Sequence, residues 1–450
     1  MRIEEVKSAL VTALEDAGIG EYEMYYSLGT SVSIDTLNRA VSTFSSSDSH
    51  GICLRVLIDG KMGYASTELF DAAEMKSLVE RAKENAKSVE KLDTVGIYAG
   101  SDSYEDVRVP KYSPMGTGEL RRVALDVGER LYAADERVKD GTVSQALTVG
   151  VQVGLCNSHG LDLSASYGVN VIAAEAVVAE GEEQQSEFAY TAYGSDRAED
   201  DIAMVVREAA CGAVSKLGAT DVPSGRYNIV IAGKEMRSLL SVFSGAFSAK
   251  SVLDGMSPLK GKEGTVIASE IVTLTDDPQR EGNAVGITFD AEGVATHRRA
   301  VIDKGVLVTF LHNRETALAM GKETTANASK ASYASAVGIS PYSFAIEPGE
   351  DSLDEIFAKA ADGIYVTELK GLHAGANTVT GDFSLESEGF MIRGGKRAEA
   401  VRSFTVAGNF FELLKNITAL SSEVDRGVQM GITGFGSPAA LIPDMPVAGK

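Results

Sequence analysis

An α+β fold in two domains is what this sequence predicts: an N-terminal α/β domain with an antiparallel sheet plus helices, then a β-rich domain of barrel-like or sandwich-like form. Three observations carry that reading. Apolar residues at helical spacing share the first half with long alternating runs. A Pro223-Ser224-Gly225 break precedes a fresh strand. Beyond it, alternating strands around glycine turns outnumber helices. At 450 residues the chain exceeds what one core normally organises, and the expected domains are residues 1–222 and 223–450.

The elements follow in order. Val6, Ala9, Leu10, Ala13 and Leu14 recur at helical spacing and stop at Gly18, predicting a helix over 2–17. Gly51 to Ile58 and Lys61 to Ala65 flank Asp59-Gly60, a dipeptide suited to the positive φ angles of a tight hairpin. Leu69, Ala73, Leu78, Val79, Ala82, Ala86 and Val89 predict one long helix, and Leu120, Ala124, Val127 and Leu131 another, both packed on one face of a sheet. From Thr142 to Tyr193 alternation predicts antiparallel strands broken at Asn157-Ser158-His159-Gly160, closed by a helix over 198–217.

In the second half, strands are expected at 227–232, 266–275, 296–302, 306–311, 364–369, 383–392 and 398–406, forming an antiparallel domain, with helices at 234–247 and 409–419. The basic cluster Arg393 to Arg397 reads as a hairpin turn about Gly394-Gly395. Gly434-Phe435-Gly436-Ser437-Pro438-Ala439 superficially resembles a dinucleotide fingerprint, but it leads into proline instead of a helix and reads as a loop.

Composition narrows the function. With 42 basic against 64 acidic residues and a net charge of −22, the chain would repel a phosphate backbone, so direct nucleic-acid binding is not expected. The start has no basic n-region followed by an apolar stretch, and the run from Val169 to Ala179 is too short and too polar to cross a bilayer. No membrane association is expected. Cys53, Cys156 and Cys211 are odd in number and widely spaced, which predicts reduced, buried thiols and a cytoplasmic location.

His50, His159, His297, His312 and His373 form no metal-ligand pair and read as surface or turn histidines. No GxSxG elbow or phosphate loop occurs. Ser241, Ser244 and Ser248 lie on the helix after the 227–232 strand, where hydroxyls ordinarily bond back to a carbonyl.

Gly381-Asp382-Phe383-Ser384, Gly389-Phe390-Met391-Ile392, Gly395, Thr405-Val406-Ala407-Gly408-Asn409 and Leu413-Leu414-Lys415-Asn416-Ile417 resemble the C-terminal signature of the TldD/PmbA peptidase family. That family is also labelled modulator of DNA gyrase. The Asp59-Gly60 hairpin with Gly63-Tyr64-Ala65-Ser66-Thr67 resembles its N-terminal signature.

The resemblance implies a paired complex around an internal chamber that admits unfolded peptides. In the family's catalytic branch a helix after a strand carries HExxxH, and a later cysteine completes the zinc site. At the corresponding helix Ser241 stands for the first histidine, Val242 for the glutamate and Ala246 for the second histidine, and no cysteine follows Cys211. The chain therefore resembles the TldE/PmbA branch, which lacks the metal motif.

The expectations that follow are no catalytic or metal residue and no cofactor in this chain, with zinc in a TldD-like catalytic partner subunit. The substrate would be a peptide or unfolded protein, and the state a dimer, a homodimer if the chain is isolated. Ser241, Ala246 and His373 are the positions expected along a peptide channel. The alternative is a self-associating peptide-binding protein without a peptidase partner.

Overall fold

The computed structural model of the chain describes residues 2–90, 92–109, 111–194, 199–427 and 433–450. Its first half runs α1 (Ile3–Asp16), β1 (Tyr22–Leu37), β2 (Ala40–Ile58), β3 (Lys61–Thr67), α2 (Ala72–Ser88), α3 (Thr117–Ala134), β4 (Val143–Asn157), β5 (Asp162–Glu180), β6 (Glu183–Tyr193) and α4 (Glu199–Ser215). The six strands make one antiparallel sheet in the order β3-β2-β1-β4-β5-β6.

Side chains alternate across a strand, so the sheet has two faces of different character. On one face Met24, Tyr26, Ile52, Leu54 and Val56 bury against α1 and α2. Farther along it, Ile34, Ala146, Ile172, Ala174 and Val178 bury against α3 and α4. All four helices thus cover one side, as the spacing of α2 and α3 predicted. Gly63 of β3 permits the close approach of α2, because a Cβ there would fall 2.1 Å from the Ala82 carbonyl oxygen. The opposite face carries Tyr25, Cys53, Arg55 and Tyr167 toward the second half of the chain.

The Asp59-Gly60 turn joins β2 to β3 with φ of 50° and 74°, the twisted hairpin geometry read from the dipeptide. Residues 22–50 were not read as strands, yet they form β1 and most of β2. Their serines and threonines give no apolar alternation, and residues 40–50 are exposed throughout. From Ala40 to Gly51, β2 pairs with β1 alone, since β3 ends with Thr67 opposite Ile52.

The second half runs β7 (Thr220–Asp221), β8 (Gly225–Ile231), α5 (Gly233–Phe243), α6 (Ala249–Leu253), β9 (Leu274–Asp276), β10 (Arg299–Asp303), β11 (Val306–Leu307), α7 (Arg314–Met320) and β12 (Ala328–Ser329). It continues with β13 (Gly338–Ile339), β14 (Ser343–Ile346), α8 (Leu353–Ala360), β15 (Gly363–Lys370), α9 (Leu372–Gly375), β16 (Asp382–Arg393), β17 (Lys396–Asn409), α10 (Phe410–Asn416), β18 (Ala419–Arg426) and β19 (Gly434–Ala448).

An 11-stranded sheet runs β11-β10-β9-β14-β19-β8-β15-β16-β17-β7, with β18 on β19. A further pairing of β19 with β17 closes β19, β8, β15, β16 and β17 into a ring, which gives the barrel-like form. The expectation of purely antiparallel pairing is corrected, because β14–β19, β8–β15 and β7–β17 are parallel. The expected loop at Gly434 to Ala439 is instead the start of β19, held by parallel pairing of Ser343, Phe344 and Ala345 with Gly434, Phe435 and Gly436. The long strands expected at 266–275 and 306–311 shrink to β9 and β11, since residues 264–272 bond to 305–307 only through isolated turn contacts.

Inside the ring, Met236, Leu239, Leu240 and Phe243 of α5 pack on Ile229, Ile231, Phe410 and Leu414. Phe243 stacks on Phe410 with ring centroids 4.8 Å apart. This core fixes α5 against the sheet.

Candidate functional site

The strand-to-helix step from β8 into α5 occupies the position where the family resemblance places its metal motif. Gly233 begins the helix beside β19, and a Cβ there would meet the Ser437 carbonyl oxygen at 2.7 Å. Four turn-spaced apolar side chains turn inward, which leaves Ser241 exposed at the C-terminal end. Val242 is half-buried against the core. Ala246 lies beyond the α-helix, in a 3-10 turn from Ser244 to Phe247, and is buried. Its carbonyl oxygen accepts the Ser257 hydroxyl at 2.6 Å.

Ser241 is thus exposed, while Ala246 is packed in the apolar core. His373 is exposed on α9, the short helix that touches α5. The Ser244 hydroxyl donates to the Ser241 carbonyl at 2.8 Å, the back-bonding expected of a helical serine. A hydroxyl, an isopropyl group and a buried methyl do not fit zinc, which takes imidazole, thiolate or carboxylate ligands. Among the described residues no three His, Cys, Asp or Glu side chains gather in a way that could hold a metal ion.

At its other end α5 is tied into a network of charges. Glu187 of β6 receives Lys216 at 2.8 Å and Lys234 of α5 at 2.7 Å, and Lys216 also reaches Glu368 of β15 at 2.6 Å. The network joins the two sheets. Glu235 is buried, accepts the Leu369 N–H at 3.1 Å, and burial pushes its carboxyl up to about 7.

A second ionisable cluster lies on the helix-free face of the first sheet. Glu23 and Arg55 are direct cross-strand partners and pair at 2.5 Å, both buried. From the second half, Glu292 and Asn313 line a pocket with Arg55, and Lys330 acts on Glu23. The Asp290 carboxylate accepts main-chain N–H groups of Glu292, Val294 and Ala328 at 2.9, 2.9 and 3.1 Å. Burial, with Glu292 beside it, raises its pKa well above the ordinary carboxylate range. Asp276, fully enclosed, accepts from Asn327 at 2.7 Å and from the Tyr342 N–H at 2.8 Å, and burial pushes it up to about 6.

Sequence reading missed this cluster. Its one legible signal was Arg55 inside the apolar run from Ile52 to Ile58, a charge that a buried strand must pair. Two other expectations are corrected. His312 is not a surface or turn histidine but is buried, its Nδ1 3.3 Å from the Thr316 hydroxyl. Cys53 is buried and Cys156 half-buried, whereas Cys211 is exposed on α4, because it falls on the outer side of that helix; all three thiols are free.

An uncharacterised protein of Methanocaldococcus jannaschii is 28% identical over 418 residues, covering 90% of this chain and 93% of its own. A metalloprotease of Methanothermobacter thermautotrophicus is 29% identical over 423 residues, 89% of each chain. Among solved structures, a Thermotoga maritima protein described as a modulator of DNA gyrase superposes with a TM-score of 0.89 at 27% identity, covering 99% of this chain and 100% of its own. TldE of Thermococcus kodakarensis shares the fold, with a TM-score of 0.84 at 22% identity over 98% of this chain and 100% of its own. The model of the PmbA/TldA metallopeptidase C-terminal domain matches residues 224–449, and that of domain 1 matches residues 22–86. Spanning half of the chain with the first model and the N-terminal hairpin with the second, this chain belongs to the PmbA/TldD metallopeptidase family.

Proposed function

We propose that this chain is the non-catalytic, TldE/PmbA-like subunit of a cytoplasmic zinc metallopeptidase acting on unfolded peptides or small proteins. Its partner, a TldD-like subunit, would bring the zinc. In this reading residues 1–222 and 223–450 are two units of one scaffold, joined by the charge network around Glu187 and Lys216. The observation that carries it is the identity and placement of Ser241, Val242 and Ala246 on and beyond α5, together with the absence of any cysteine after Cys211.

The experiment is co-expression with an HExxxH-bearing relative, followed by metal analysis and peptidase assay of each chain and of the mixture. Stoichiometric zinc and cleavage only where the partner is present are the expected results. Strong zinc-dependent cleavage by this chain alone would end the proposal.

One observation favours a second reading, a self-associating peptide-binding protein. Residues 40–50 of β2 are exposed and paired on one side only, an edge suited to strand addition by main-chain hydrogen bonds. A monomer at micromolar concentration that binds no extended peptide would remove it.

A further inference from the structure

Between the helix-free face of the first sheet and the loops of the second half lies a cleft of about 460 Å³, within the range of small-molecule sites. Its floor is Tyr25, Val153 and Tyr167, and its roof includes Phe289, Lys330 and Tyr333. The roof loop sits close on the sheet: a Cβ on Gly51 would fall 2.4 Å from the Tyr333 ring.

Two charged residue types line this cleft, and only one is free. Both Asp290 carboxylate oxygens are taken by main-chain N–H groups of its own loop and of Ala328. Lys330 donates to the Ser335 carbonyl oxygen and lies 5.5 Å from the centre of the Tyr25 ring, but forms no ion pair with any described carboxylate. Of the groups acting on it, the Cys53 thiol is pushed up by burial, and Glu23 and Arg55 neutralise each other. On a chain with 64 acidic residues, a half-buried ammonium without a counter-ion is a departure that needs a cause.

The hydroxyls of Tyr333 and Tyr342 are occupied by Glu68 and the Ala326 carbonyl, at 2.7 and 2.8 Å. Those of Tyr25 and Tyr167, both residues that line the cleft, make no hydrogen bond to a described residue and remain as donors. An ammonium with two N–H groups to spare, beside two phenols and apolar walls, matches a carboxylate attached to an apolar body.

We infer that this cleft binds the free carboxylate end of a short apolar peptide segment, with Lys330 as counter-ion and Tyr25 and Tyr167 as hydrogen-bond donors. The inference takes peptides as the ligand class from the reading above, but needs no zinc-bearing partner. The ligand's source is either a free short peptide or the C-terminus of a longer chain.

The test is calorimetric titration of the full-length chain with acetyl-Ala-Leu-Phe as free acid, its C-terminal amide, and a 20-residue peptide ending in the same residues. The free acid should bind at least tenfold more tightly than the amide. Lys330→Met should erase that difference, and Lys330→Arg should restore it. Binding by the acid alone identifies short peptides as the source, and equal binding by the long peptide identifies chain termini. Equal affinity for acid and amide, no binding of either, or a preference that survives in Lys330→Met would overturn the inference. Because only this chain is used, that failure is separate from failure of the zinc-partner experiment.

Discussion

Arg55 and Glu23 face each other across the β1–β2 ladder and pair at 2.5 Å, with 5% and 2% of their surfaces exposed. The pair is incomplete, because Glu23 Oε2 and Arg55 Nε have no hydrogen-bond partner among the described residues. Removing one charge leaves the other buried alone. Arg55→Met should cost about 3–5 kcal/mol, whereas Glu23→Leu with Arg55→Met should recover most of it. Denaturant unfolding of the three variants checks this, and a double variant as unstable as the single one would contradict it.

Glu235 makes stability fall as pH rises. Its carboxyl is pushed up to about 7 from an ordinary 4.5, so the folded chain holds this proton more tightly than the unfolded one. Its contribution is complete below about 4.5 and fades as pH climbs through 7, at up to ~1.4 kcal/mol per pH unit. Glu235→Gln keeps an oxygen for the Leu369 N–H but no charge. Its advantage over the parent should grow between pH 5 and 8, and thermal melts showing a constant gap would refute the assignment.

Glu187 holds two ammonium groups from different parts of the fold while only 15% exposed. Glu187→Ala should destabilise by roughly 1–3 kcal/mol, the cost of stripping a partner from a partly buried charge. Glu84, paired with Lys87 on the surface of α2, should be replaceable by Ala without measurable change. Parallel melts of the two variants make the comparison.

Gly63 and Gly118 should respond to alanine in opposite directions. At Gly63 the new methyl would strike the Ala82 carbonyl and push α2 from β3. Gly118 lies in the exposed first turn of α3 with nothing within 4 Å, so alanine there should add up to ~1 kcal/mol through helix propensity. Melting temperatures that move in the same direction would show that close approach is not what fixes Gly63.

Local chemistry was legible in the sequence, and distant pairing was not. Asp59-Gly60 announced its hairpin because two positive φ angles are a property of two residues. The apolar period of α1, α2 and α3 likewise reported which side each helix buries. By contrast, Gly434 to Ala439 looked like a loop because its partners Ser343 to Ala345 lie far away in the chain. Ser46 and Ser47 carry no mark of a strand, since their side chains are exposed and only main-chain bonds to Val32 and Ser31 hold them.

The site divides in the same way. The residue types at Ser241, Val242 and Ala246 could be read directly. That Ala246 would be buried could not, because the α-helix ends at Phe243 and a tighter turn rotates the following residues. Lys330 gave no signal either, since a lysine without a counter-ion is recognisable only once its surroundings are assembled.

β19 leaves a ribosome after all four of the strands it pairs with, β8, β14, β17 and β18. During synthesis those four must wait with open flanks, so the second half can be completed only after translation has passed Ala448. A nascent chain stalled before Gly434 would keep the first sheet's strand set but present a gap in the ring, a ready template for intermolecular pairing and a natural target for chaperones.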